Sequence, residues 1–187
     1  MTTWMYGPEV LYIAVFGRPV DPSGAEWLLS DDIYEWVNPE AVAGITESDE
    51  FRSLLNASDD IDNLHRDYIN QMYENLFNRP ADDEGLEFYS ARYEAGADMA
   101  DIALAIISGT KMGQPDFDVM MDKIAAASAF THALDTPEEI FCYRGEAAAE
   151  IGRTYLGAVE ENDLSFQEIA ANADRAVELL VSAPVIN

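Results

Sequence analysis

Apolar residues recur along this chain at helical spacing. In "VLYIAVFG" (10–17) and "YINQMYENLFN" (68–78) they fall at i, i+3, i+4 and i+7, so each stretch predicts an amphipathic helix. "PDFDVMMDKIAAASAFTHALD" (115–135) predicts a long helix rich in Ala and Met. "RGEAAAEIGRTYLGAVE" (144–160) and "FQEIAANADRAVELLVS" (166–182) predict two more. Ser165 and Glu168 form an S-x-x-E capping box before the last of them, and "DTPEE" opens a short helix at Pro137. No segment shows the strict alternation of a half-buried strand, so the expected fold is all-α.

The pattern repeats. "FGRPVDPSGAEWL" (16–28) and "FNRPADDEGLEFY" (77–89) share the order Arg-Pro-x-Asp-x-x-Gly, with Arg18 and Arg79 61 residues apart. At that offset Leu11 and Tyr12 fall on Met72 and Tyr73, Phe16 on Phe77, and Trp27 and Leu28 on Phe88 and Tyr89. Further along, Val42, Ile45 and Phe51 fall on Ala103, Ile106 and Met112. The reading is two copies of one helical unit, over roughly 5–55 and 64–113. The expected organisation is helical repeat 1 at 1–56, helical repeat 2 at 57–113 and a C-terminal helical region at 114–187.

The doubled phrase reads as a helix–loop–helix corner. Arg-Pro ends the first helix, because the residue before Pro is pushed out of the α region. Asp21 and Asp82 stand where the next helix begins, and a carboxylate there accepts an orphan N–H. Pro22 suits a first helical position. Gly24 and Gly85 mark a close approach, Arg18 and Arg79 can bind helix-end carbonyls or a carboxylate, and Trp27 and Phe88 start an inward face.

Charge narrows the partners. The 187 residues hold 36 acidic and 10 basic side chains, a net charge of -26. No basic patch can be assembled for nucleic-acid phosphates or an anionic membrane surface. Cations, basic partners or high salt are favoured instead. Cys142 is the single cysteine, so the chain makes no internal disulfide. "MTTWMYGPEV" lacks a basic segment followed by an apolar run, so no cleavable N-terminal signal peptide is expected. No apolar run reaches the ~18 residues of a membrane span.

Candidate chemistry is sparse. His65 and His132 have no ligand pattern around them, and neither a G-x-S-x-G elbow nor a phosphate loop is present. The expectation is no enzyme. Calcium takes several oxygens at about 2.3–2.6 Å, and "ASDDIDNLHRD" offers Asp59, Asp60 and Asp62. Asp82, Asp83 and Glu84 in "PADDE" are a second candidate set. Against this stands a solvated linker whose acids cap helices. Trp4, Met5 and Tyr6 form an apolar N-terminal tip and are the expected interface residues.

"LYIAVFGRPVDPSGAEWL", "MYENLFNRPADDEGLEFY" and "ITESDEF" resemble a bacterial tandem helical domain of unknown function. Its usual core is Leu-Gly-Arg-x-Pro-Asp-x-x-Gly-Leu-x-Tyr-Trp, followed later by Ser-x-Glu-Phe, and it is distantly similar to the phycobilisome linker domain. The core here departs from it as Arg-Pro-x-Asp. The resemblance implies type I secretion and kinship with S-layer and RTX proteins. The resulting expectation is an extracellular or cell-surface structural protein that self-assembles into a layer, filament or matrix with calcium. The alternatives are an anchor that binds cell-surface polysaccharide and an acidic intracellular linker or adaptor.

Overall fold

The computed structural model describes residues 7–22, 24–25, 44–56, 63–160 and 165–182. All regular structure among them is α-helical. The helices are α1 (Gly7–Phe16), α2 (Asp49–Asn56), α3 (Leu64–Phe77), α4 (Asp83–Glu94) and α5 (Met99–Gly109). They continue as α6 (Pro115–Ala133), α7 (Pro137–Cys142), α8 (Gly145–Gly157) and α9 (Phe166–Ser182).

The first helix departs from the expected amphipathic form. Val10 through Phe16 are all buried, so α1 has no solvent face along that run. The reason is its position. It packs against α2, α3, α5 and α6 at once, and a helix surrounded by others must be apolar all round. The apolar seam of α3 (Ile69, Met72, Leu76) lies in the same core as Ile102 and Ile106 of α5 and Met120 of α6. Residues from all three expected segments of the chain therefore share one hydrophobic core. A smaller cluster joins Phe130 of α6 to Tyr143, Ala148 of α8, and Ala173, Ala176 and Val177 of α9. The alanines there let α9 lie close along α6.

The helix starts match the sequence signals. Asp21 Oδ1 accepts from the Gly24 N–H at 2.9 Å, and Asp82 Oδ1 from the Gly85 N–H at 2.7 Å. Thr136 and Glu139 close a capping box on α7, and Ser165 and Glu168 do the same before α9. The hydroxyls and N–H groups of Thr136 and Ser165 hold the Glu139 and Glu168 carboxyls below the usual range. Both Arg-Pro corners follow a left-handed residue, Gly17 at φ 66° and Asn78 at φ 55°.

Phe88, expected to face inward, faces out, as does Met112, which the 61-residue offset sets against Phe51. Phe88 is 56% exposed and Met112 82%. On α4 the buried ring is the adjacent Tyr89, which meets Tyr73 at 6.3 Å, and one residue's rotation about the helix carries Phe88 away from that contact. Met112 stands in the loop between α5 and α6. Trp27 and Leu28 lie outside the described residues.

Candidate functional site

The two corners make the same set of contacts. The Arg18 guanidinium lies over Tyr12 at 5.0 Å and Phe16 at 5.5 Å; that of Arg79 lies over Tyr73 at 5.3 Å and Phe77 at 6.0 Å. Each arginine donates Nη1 to the carbonyl of the following proline at 3.0 Å. Each forks onto a carboxylate: Arg18 to Glu50 with two bonds of 2.7 Å, Arg79 to Asp116 at 2.9 and 2.6 Å. A Cβ at Gly24 would collide with the Tyr12 hydroxyl, and one at Gly85 would come to 3.0 Å from the Tyr73 hydroxyl. The glycines are there to admit those phenols.

The carboxylates explain why the ungapped pairing fails past Ile45 and Ile106, which are both buried. Glu50 is the second residue of α2 and Asp116 the second residue of α6. That sets "SDEF" (48–51) beside "QPDF" (114–117), an offset five residues longer, and the extra residues fall between Ile106 and Gln114. Phe51 is thus matched by Phe117, which packs on the main core, and not by Met112. Each acid sits in the first turn of a helix, where the dipole favours negative charge.

The surroundings differ. Tyr143, at the α7–α8 turn, lies under Arg18 at 5.6 Å and donates its hydroxyl to the Pro19 carbonyl at 2.7 Å. Gly152 of α8 packs on the same corner, with its missing Cβ 3.0 Å from Pro19 Cδ. The Arg18 side chain is therefore 9% exposed, whereas Arg79 is 40% exposed. Burial works against the Arg18 charge, but the Glu50 hydrogen bond and charge outweigh it and hold the guanidinium above its ordinary value. Burial also pushes the Tyr143 hydroxyl up to about 12. Arg153 of α8 reaches Glu146, Glu150 at 2.9 Å and Glu50 at 4.0 Å, which ties α8 to the same carboxylate. A cleft of about 500 Å³ opens beside this corner, lined by Arg18, Asp21, Glu50, Tyr143 and Glu146 among others.

A second polar cleft, about 650 Å³, runs along α3 and α8 and is lined by Asn75, Asn78, Lys123 and Arg153. Lys123 is 2% exposed. Its Nζ donates to two carbonyls of the last turn of α3, Asn75 at 2.6 Å, which has no backbone donor, and Glu74 at 3.2 Å, which also accepts the Asn78 N–H. Burial pushes the ammonium down to about 8, with the Glu74 charge opposing. Sequence reading missed this residue. Its signal was a lysine at the apolar spacing of Met120, Lys123, Ala127 and Phe130.

The sequence-based candidates fare unequally. Asp82 is occupied by its cap bond, while Asp83 and Glu84 are exposed in the first turn of α4. Among the described residues no three His, Cys, Asp or Glu side chains converge to hold a metal ion. Asp59, Asp60 and Asp62, and Trp4, Met5 and Tyr6, lie outside the described residues.

Residues 42–111 match the family described as Domain of unknown function (DUF4214). The DUF4214 stretch includes Glu50, Arg79 and the Asp82 cap. It stops five residues before Asp116 and leaves out α1 and its corner. No curated protein and no solved structure matches the chain. No helix among the described residues is long and apolar enough to cross a membrane.

Proposed function

We propose that this protein is a non-enzymatic helical module whose copies associate into a larger structure. The observation that carries the reading is the set of large apolar side chains left in water on a chain of net charge -26. Phe166 is 85% exposed, Met112 82%, Phe141 60%, Leu179 58% and Phe88 56%. Aromatic side chains and Met are the residue types enriched in the surfaces that other proteins cover. Charged side chains at the corners and in the clefts serve folding: Arg18 and Arg79 clamp helix starts, and Lys123 closes a helix end.

Divalent cations belong to the reading through charge. Repulsion between copies at -26 acts over about 8 Å in 0.15 M salt. A cation bound by carboxylates of two copies removes that repulsion and adds bonds. An extracellular or cell-surface setting, where so acidic a surface meets such ions, belongs to the same proposal. Light scattering of the purified chain in calcium, in chelator and in sodium chloride of equal ionic strength tests it. Growth of particles in calcium, reversed by chelator, is expected; a monomer in all three ends the reading.

A further inference from the structure

The two corners are the same socket, but only the first is filled. At the first, the Tyr143 ring is a third wall for the guanidinium, and its hydroxyl reaches the proline carbonyl. At the second, no third ring lies over Arg79 among the described residues, and Pro80 is exposed where Pro19 is buried. The open socket continues into an aromatic edge. Phe88 meets Tyr89 at 5.1 Å, Tyr89 meets Tyr73 at 6.3 Å, and Tyr73 lies under Arg79. Its rim is acidic: Asp82, Asp83 and Glu84 are exposed at the start of α4 and Asp116 pairs with Arg79, with Arg92 over the Phe88 ring at 5.9 Å.

We infer that this second corner is the docking site for the α7–α8 knuckle of a second copy of the chain. The inference rests on the self-association proposed above and names the surface. The knuckle has the matching chemistry. Phe141 stands two residues before the tyrosine that fills the first socket, is 60% exposed, and points away from its own core. Arg144 lies over the Phe141 ring at 5.1 Å and is exposed, with no ion pair among the described residues. An incoming Phe141 supplies the missing wall beside Arg79 and covers Phe88, while Arg144 meets the acidic rim. Tyr143 stays in its own first corner. Socket and knuckle are different surfaces of one chain, so the contact is head-to-tail and each added copy offers another socket.

Complementation of two defective full-length chains tests this. Phe88→Ser spoils the socket and Phe141→Ser the knuckle; both side chains are more than half exposed, so unchanged circular dichroism is expected. In sedimentation velocity with calcium present, the unaltered chain is expected to grow with concentration. Each variant alone is expected to associate about tenfold or more weakly, the loss of one aromatic anchor. An equimolar mixture is expected to form a dimer that does not grow, because Phe141 of one chain still meets Phe88 of the other. If the unaltered chain assembles and neither variant weakens it, the docking site is elsewhere and self-association survives. If both variants weaken it but the mixture restores no dimer, the head-to-tail arrangement is wrong. If the unaltered chain stays monomeric at every concentration, the self-association reading fails along with the site.

Discussion

Replacing Lys123 with methionine should change how stability depends on pH more than it changes stability at pH 7. The side chain is 2% exposed and holds two helix-end carbonyls, and burial lowers its ammonium from 10.5 to about 8. The folded value lies below the unfolded one. Between pH 8 and 10.5 the unfolded chain thus binds more protons, and stability rises with pH across that window. At 1.36 kcal/mol per unit, the full gap corresponds to roughly 3 kcal/mol. The neutral amine keeps two N–H groups, enough for both carbonyls, so deprotonation removes the cost of the buried charge without removing the caps. Lys123→Met keeps the apolar stem and abolishes the titration, but leaves the Asn75 carbonyl without a donor at about 1–3 kcal/mol, while Glu74 keeps the Asn78 N–H. Near pH 7 these effects oppose one another and the variant should be close to the parent. Near pH 10 only the loss remains, so the parent should lead by roughly 3 kcal/mol more than at pH 7. Urea denaturation followed by circular dichroism at pH 7, 8, 9 and 10 reads the difference. Tyr12, Tyr73, Tyr143 and Tyr155, each raised to about 12 mainly by burial, withdraw stability above about pH 10 in both proteins, and the subtraction removes them. Two curves that stay parallel from pH 7 to 10 would refute the account of Lys123 as a buried charge.

The corners supply the other predictions. Asp21→Ala and Asp82→Ala should each cost about 0.5–2 kcal/mol in thermal or chemical unfolding, and a neutral outcome at either would remove the capping account there. Arg18→Met should cost about 3–5 kcal/mol because it strands a partly buried Glu50, whereas Arg79→Met, at a solvent-screened pair, should cost about 1 kcal/mol or less; equal losses would contradict the difference in cover. Gly152→Ala puts a methyl 2.8 Å from the Tyr143 hydroxyl and 3.0 Å from Pro19 Cδ, so it should destabilise by about 1–3 kcal/mol. Phe88→Ala should stay within about 0.5 kcal/mol in unfolding experiments on the dilute chain, and a loss of several kcal/mol would show that the ring is core after all.

Much of the fold was written locally. Periodicity marked α1, α3, α6, α8 and α9, and the caps at Asp21, Asp82 and Ser165 were legible because a cap bond joins residues only three apart. The two corners were legible too, since each is built with Arg, Pro, Asp and Gly. Periodicity says that a helix has an apolar side; it does not say how many neighbours surround it. Hence α1 was expected to keep a polar face and is buried instead, and Phe88 was expected inside and is out. The acid that each corner arginine clasps lies 32 residues away at one corner and 37 at the other, a pairing that no local spacing announces. Only the tertiary structure decided that α7 and α8 return to cover the first corner, from 124 residues away, and leave the second in water. Local sequence dictates hydrogen bonds made within a turn or two, because the partners are covalently close. Which of two equivalent surfaces receives a distant helix depends on the packing of the whole chain, and here that choice separates a buried structural corner from an open one.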